Sequence, residues 1–351
     1  MSTPKSQSLA MKTVHISGST SATTALVQFE IDLPLIPLAR LIGKDNAVRA
    51  WQRSRLSLSN LHDRIAELGI QCRAETPSSL FLAGNLMTGP DLRQEADERV
   101  AAGLRSRYLT ASDLSREFGI HRDGAILSSG NLALDPRKLT AGLLTLAQSR
   151  GACLYRDVEV QHATATKTEV SVETTGGPTI RCSHLVLATG YEMLDLVPAV
   201  NHQIVSTWAM ATARQPLAIW PKSAFLWEAS DPYLYIRATH DGRIICGGED
   251  EDFSDEARRD ALIKPKIAAI RKKLGALLPK IDTEPAYAWA GSFGSTKTGL
   301  PYIGAIPYRP RVFAIMGYGG NGITYAQLAS EIIASELAGK TDASADLFSF
   351  K

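Results

Sequence analysis

Apolar residues recur at helical spacing from Leu38 to Leu68, with Leu56, Leu61, Ile65 and Leu68 sharing a face. This stretch is predicted to be helical, broken near Gly43-Lys44-Asp45 and stopped by Gly69, which tolerates a left-handed conformation. Further helices are predicted over Gly89–Gly103, Ser112–Phe118 and Pro136–Arg150, the last with Asp135 as N-cap and Gly151 beyond its end. Short strands follow at Cys153–Tyr155, Glu159–Ala163, Glu169–Glu173 and Thr179–Cys182, the last two joined through Gly176-Gly177-Pro178. The mostly apolar run His184–Ala188 ends in Thr189-Gly190, as a buried parallel strand does when its C-terminal loop faces a ligand. Near the start, Lys12–Ile16 accommodates at best one strand.

The pattern then shifts to strands. Val205–Gly248 is strand-rich, and His240-Asp241-Gly242 predicts a hairpin between Tyr233–Ala238 and Arg243–Cys246. A helix is expected over Ser254–Leu278, then strands at Ala286–Ala290 and Tyr302–Ile303 around a loop, Gly291–Gly299. A last strand, Arg311–Met316, leads through glycines into a helix over Ile323–Ala338. Hairpins in one block and buried parallel strands in others argue for an α/β (α+β) chain of two interleaved domains.

Bulk properties narrow the function. The 351 residues are 44% hydrophobic and 21% charged, ordinary globular values. A formal net charge of +2 with no Lys/Arg block argues against nucleic acid. No run of about 18 apolar residues occurs, so no membrane span is expected, and the polar Met1–Ala10 does not suit a signal peptide. Cys72, Cys153, Cys182 and Cys246 are far apart and read as reduced, mostly buried thiols, which points to the cytoplasm and to no metal site. The G-x-S-x-G and H-E-x-x-H hydrolase patterns are absent.

One motif stands out. Gly317-Tyr318-Gly319-Gly320-Asn321-Gly322 fits the G-x-G-x-x-G dinucleotide pattern, with a strand before it and a helix after. Too little chain follows for the second strand and acidic residue that a Rossmann phosphate loop needs. A nicotinamide dehydrogenase would rest on this match alone. Glycines lacking Cβ atoms still let backbone N–H groups approach a ligand, and the helix from Ile323 aims its positive end there. Tight strand-to-helix packing would require the same glycines.

Three segments together resemble the FAD-dependent oxidases of the D-amino acid oxidase and glycine oxidase superfamily. The first is Gly18–Val27, small and hydroxyl-rich. The second is Val158-Glu159-Val160 with His184–Gly190. The third is Trp289-Ala290-Gly291, Gly299-Leu300-Pro301-Tyr302-Ile303-Gly304 and Gly317–Tyr325, similar to a W-x-G…G-x-P-x-x-G…G-x-x-x-N-G-[IM] signature. The resemblance implies an FAD-binding, Rossmann-like domain (1–62, 131–196 and 289–351) interleaved with a mixed-sheet substrate domain (63–130 and 197–288). It implies FAD contacts at Thr20, Ser21, Ala25, Leu26 and Val27, at Val160, and at Ala188, Thr189 and Gly190. It implies further contacts at Gly319, Gly320, Asn321, Gly322, Ile323 and Thr324. The family also opens with a strand–GxGxxG–helix–strand unit of about 30 residues. Only 17 residues precede Gly18, none acidic, so the FAD-binding domain is expected to be N-terminally incomplete.

The implied activity is oxidation of a C–N bond of a small amine or amino-acid-like substrate. The alternative is a non-catalytic remnant, or a subunit that needs a partner chain to hold FAD; a homo-oligomer is equally open. The family's two carboxylate-binding arginines fall at Phe293 and Gly320. A substrate-facing tyrosine falls near Tyr235, with Arg237 two residues on and so on the same strand face. Such an arginine offers an anion anchor, although a strand arginine is ordinarily solvated. Lys297, in Ser295-Thr296-Lys297-Thr298, is placed over the flavin by the same reading, with a surface lysine as the ordinary alternative. Trp208, Trp227 and Trp289 suit either a pocket wall or core packing.

Overall fold

The computed structural model describes residues 8–10, 16, 18–198 and 202–350, the first three by backbone alone. The chain opens with β1 (Ser8–Ala10), α1 (Ser19–Ala22), β2 (Leu26–Val27), α2 (Leu35–Ile42) and α3 (Lys44–Glu67). Next come β3 (Ser79–Leu82), α4 (Gly89–Ala101), β4 (Ser106–Thr110), α5 (Ala111–Phe118), β5 (Gly124–Ser128) and β6 (Leu132–Ala133). After α6 (Pro136–Ser149) run β7 (Cys153–Tyr155), β8 (Val160–Ala165), β9 (Val170–Thr174), β10 (Ile180–Cys182) and β11 (Leu185–Leu187). Then follow β12 (His202–Thr212), β13 (Phe225–Glu228), β14 (Leu234–Ala238), β15 (Ile244–Glu251), α7 (Glu256–Ala261) and α8 (Ile263–Leu277). The last elements are β16 (Pro285–Thr296), β17 (Tyr302–Ala305), β18 (Val312–Met316) and α9 (Gly322–Leu337).

An eight-stranded mixed sheet, ordered β16-β12-β15-β14-β13-β3-β5-β4, organises the molecule. All its pairings are antiparallel except β13 with β3. One face carries Trp208, Met210, Leu226, Leu234, Ile236 and Cys246, which close a core against Ile267, Ile270, Leu274 and Leu277 of α8. The alternate residues turn to the opposite face, as the period of two requires.

A second core fills the other half, where Phe29, Leu38, Trp51 and Leu58 meet Ile303, Ile315, Leu328 and Ile332. It lies under the smaller sheet β11-β18-β17, in which β11 and β18 are parallel. Helix α9 packs on α3, where Ser57 Oγ donates to Thr324 O at 3.0 Å and Asn60 Nδ2 to Glu331 Oε1 at 2.9 Å. A buried ion pair ties α4 to α2. Glu95 Oε1 accepts from Arg99 Nε at 2.8 Å and from Leu35 N at 2.7 Å, and Oε2 from Ile36 N at 2.9 Å.

The helical spacing and its break at Gly43 (φ 86°) hold. The Asp-Gly hairpin holds too, with Gly242 at φ 82° and its N–H donating to Thr239 O at 2.9 Å. The expected loop Gly291–Gly299 differs: β16 runs on to Thr296 because it pairs with β12 over its whole length. The helix expected over Ser254–Leu278 is two helices joined at Leu262. Strands β3, β4 and β5 carry no strict alternation; Ser79–Leu82 is buried at every position and reads as a strand only once flanked by neighbours. Of the cysteines, Cys153 is exposed where a mostly buried set was expected. The possible strand at Lys12–Ile16 lies outside the described residues, apart from Ile16. Among the described residues no helix is long and apolar enough to cross a membrane.

Candidate active site

One wall of the site is the loop between β18 and α9. Strand β18 is buried throughout and delivers the chain to Gly317 (φ 67°) and Gly319 (φ 53°), conformations that strain any residue with a Cβ. A Cβ on Gly319 would run into the carboxylate of Asp32. That carboxylate sits at the start of α9, where Oδ2 accepts the Gly320 N–H at 3.2 Å and Oδ1 accepts Asn321 Nδ2 at 2.9 Å. Asn321 Nδ2 also donates to Glu30 O at 3.0 Å, and Thr324 Oγ1 donates to Gln28 O at 2.7 Å. The helix start is therefore stitched to residues 28–32.

Asp32 is surrounded by protein and still keeps an exposed surface. Burial pushes its carboxyl up to about 6; the Gly320 N–H opposes this and the Asp250 charge adds to it. Burial likewise raises Asp250, opposed by the Thr207 and Tyr233 hydroxyls beside it.

The facing wall is the sheet. Tyr233, just before β14, and Tyr235 and Arg237 within it alternate with Leu234, Ile236 and Ala238, which belong to the α8-side core. Tyr233 Oη donates to Asp250 Oδ2 at 2.7 Å. Burial, followed by the Asp250 charge, holds both phenols well above the ordinary tyrosine range. Directly opposite residues form one row across the sheet: Trp289, Ala209, Gly247, Tyr235, Trp227 and Phe81. A Cβ on Gly247 would fall on the Tyr235 phenol, so the glycine is what lets that ring lie over β15. Phe81 and Trp227 stack at 3.9 Å between centroids, and Trp289 Nε1 donates to Ala22 O at 2.8 Å.

The two walls meet around residues 22–32. The Thr24 and Thr207 hydroxyls lie beside Tyr235, and Asp32 faces Tyr233 and Asp250. Thr20 and Ser21 occupy the short helix α1, Ser21 Oγ donating to Gly18 O at 2.9 Å. Ala25 turns the chain at φ 54°, and Leu26 and Val27 pair with Ala133 and Leu132. Ala188, Thr189 and Gly190 follow β11; Gly190 (φ 72°) faces the Tyr318 hydroxyl, 3.5 Å from where its Cβ would stand. Val160 opens β8, and Gly322, Ile323 and Thr324 form the first turn of α9.

The structure places three side chains that the sequence left open. Arg237 is not solvated: it is 8% exposed, and burial lowers its pKa to about 10. Lys297 is exposed in the turn after β16. Trp208 is wholly core, at 0% exposure. Asp32 and Asp250 were not legible as site residues, because lone acids after a strand or hairpin carry no motif.

These residues fit a flavin dinucleotide. The glycines at 317–322 add no side chains of their own at a helix start, where the Asp32 carboxylate already accepts the Gly320 N–H, Gly18 has open space around it, and the short hydroxyl-bearing helix α1 follows. A mixed sheet set against such a loop suits the class of cofactor-dependent oxidoreductases. Residues 12–336 match the family described as DAO, FAD dependent oxidoreductase, and the chain belongs to it. Its cofactor is therefore FAD, which removes the nicotinamide reading of the glycine loop.

The chain is 24% identical over 348 residues to glycine oxidase of Geobacillus kaustophilus, covering 95% of this chain and 86% of that one. The crystal structure of glycine oxidase from that organism superposes with a TM-score of 0.78 at 22% identity, covering 96% and 89% of the two chains. The chain is 22% identical over 312 residues to a probable oxidoreductase, OrdL, of Haemophilus influenzae, covering 85% and 69%. It is 26% identical over 298 residues to gamma-glutamylputrescine oxidoreductase of Escherichia coli, covering 80% and 66%.

Proposed function

We propose that the protein oxidises a C–N bond of a small amine or amino-acid-like substrate, FAD supplying the two-electron acceptor when bound. The observation that carries this reading is the meeting of Tyr235 with Thr24, in the segment whose continuation, residues 28–32, is tied to the start of α9. The names of the glycine oxidase and gamma-glutamylputrescine oxidoreductase relatives support an amine nitrogen at the reacting carbon.

In this reading Ala25, Leu26, Val27 and the first turn of α9 hold the ring system. Thr20 and Ser21 face the phosphates, while Ala188–Gly190 and Val160 lie along the nucleotide side. Tyr235, kept protonated by burial, donates to the substrate. Trp289 and the stacked Phe81–Trp227 pair bound the reacting face and exclude water.

A second reading, that FAD retention depends on a partner chain, is favoured by one observation. Strands β1 and β7 form a parallel pair of their own, and among the described residues β11 has a hydrogen-bonded neighbour on one side only. Purified protein is to be titrated with FAD, then anaerobically with N-methylglycine and N-methylbutylamine. Stoichiometric FAD whose visible absorbance bleaches with an amine supports the first reading. Protein that stays colourless with added FAD supports the second. Bound FAD that no amine reduces overturns C–N oxidation.

A further inference from the structure

Strand β15 carries one residue more than its neighbour β12 between two fixed pairings. Ser206 stands opposite Glu251 and Trp208 opposite Gly248, so Thr207 spans both Glu249 and Asp250. This is a β-bulge, which re-aims the side chains around it. The backbone bears it at Gly248 (φ 138°), where a Cβ would run into Tyr233 O, and at Glu249, which sits at φ 59° despite its Cβ. A residue with a Cβ is strained there and persists only where its surroundings hold it.

The bulge decides which acid enters the site. Gly247 lies in the Tyr235 row, so strict alternation would turn Glu249 toward the site and Asp250 toward α8. The reverse is observed. Glu249 pairs with Lys273 of α8, while Asp250 accepts Tyr233 Oη at 2.7 Å on the site face. With its hydrogen committed to the carboxylate, Tyr233 has only lone pairs left to offer, so toward a further group it is an acceptor. Its ring lies 5.8 Å from that of Tyr235 between centroids, and Tyr233, Tyr235 and Asp250 each keep part of their surface exposed.

We propose that Tyr233 takes a proton from the substrate's ammonium group while passing its own to Asp250, which leaves the amine neutral for oxidation. This rests on the reading of the site as an amine-oxidising one. One N–H bond of the ammonium breaks as an O–H bond forms on Tyr233, and the old phenol O–H breaks as one forms on Asp250. The phenol ends as it began, the carboxylate holds the proton, and the nitrogen regains the lone pair that an ammonium lacks. The titratable and charged groups facing Asp250 are Tyr233 and Tyr235 on the β14 side, Lys266 of α8, Asp32 on the opposite wall and Glu249 beside it. Lys266 is itself paired with Glu251 at 2.8 Å. Burial raises the Asp250 carboxyl and so favours its protonated form, and burial keeps the Tyr233 phenol from holding a negative charge of its own.

The test compares FAD-loaded parent, Asp250→Asn and Tyr233→Phe on two amines. N-methylbutylamine is charged in solution from about pH 7 to about pH 9, as a lysine side chain is; N-methyltrifluoroethylamine, its basicity lowered by fluorine, is largely neutral there. The parent is expected to show a flat kcat/KM for N-methylbutylamine across this range. In either variant only the free neutral amine reacts, so kcat/KM is expected to fall about a hundredfold near pH 7 and to climb roughly tenfold per pH unit. With N-methyltrifluoroethylamine the loss is expected to stay under about tenfold. Equal losses for the two amines mark a structural role and overturn the proposal, as does a variant profile parallel to that of the parent. A flat profile in Tyr233→Phe alone also overturns it, by removing the phenol from the path. A second readout needs no turnover: tert-butylamine, which has no hydrogen on the carbon bearing nitrogen, is titrated by calorimetry in phosphate and in Tris. The parent is expected to bind it without proton exchange with buffer and Asp250→Asn to release about one proton per molecule bound; the same count in both overturns the proton transfer. If no amine reduces the flavin, C–N oxidation fails, while the tert-butylamine proton count still decides the role of Asp250.

Discussion

The backbone N–H of Gly320 donates to the carboxylate of Asp32 at 3.2 Å, joining residues 288 positions apart. The helix start that would favour a negative charge on a bound cofactor already carries one from the chain. Whether Asp32 is ionised therefore sets the field at that loop.

Asp32 gives the fold a pH dependence of defined sign. Its pKa is raised from 3.8 to about 6, so the folded protein holds the proton more tightly than the unfolded chain does. The stabilisation is complete below pH 3.8 and is lost as pH rises through about 6. Asp32→Asn removes this loss. Its advantage in Tm over the parent is expected to grow from about pH 4 to about pH 7; a gap that shrinks across that range, read by differential scanning fluorimetry, would contradict it.

Gly319→Ala combines two costs. At φ 53° a Cβ is strained by about 1–2 kcal/mol, and it would also overlap Asp32. In Asp32→Ala the overlap vanishes while the strain remains. Urea unfolding is expected to show Gly319→Ala costing less in the Asp32→Ala background than alone; equal costs would remove the contact from the account.

Tyr235→Phe deletes the phenol and keeps the ring over Gly247. The lost hydrogen bond, about 1–1.5 kcal/mol, corresponds to a roughly tenfold fall in kcat/KM for amine oxidation. Because burial keeps the phenol protonated, its deletion is expected to leave the pH profile of the remaining activity unaltered between about 6 and 9. Unchanged kcat/KM in steady-state assays would exclude Tyr235 from substrate contact.

Glu95→Gln should be among the most damaging single changes. Glu95 and Arg99 are both 0% exposed, and Arg99 also lies over the Trp51 ring at 4.5 Å and the Phe81 ring at 5.6 Å. Removing one charge leaves the other buried and uncompensated, costing about 3–5 kcal/mol. Chemical denaturation measures it, and a loss under about 1 kcal/mol would mean that the aromatic rings and backbone carry the joint.

The helices were legible because each carries its own signals: a glycine break at 43, an Asp135 cap, a Gly69 stop. Strands β3, β4 and β5 were not, since a short run such as Ser79–Leu82 has no periodicity when both faces are buried. The glycine loop was readable through residues at fixed spacing, while Tyr235 was named only through the family resemblance. Asp32, Asp250 and the burial of Arg237 were not, because each depends on elements far apart in the chain.

The sequence by itself determined the backbone features: where helices start and stop, which hairpin turns at Gly242, and which glycines flank α9. These follow from local sterics and capping, which act within a few residues. Only the tertiary structure decided the electrostatics. Asp32 meets Gly320, Tyr235 meets Thr24, and Arg237 is buried to 8% exposure because two cores close against one sheet. Desolvation depends on what surrounds a charge in space, and a chain read one residue at a time carries no record of that.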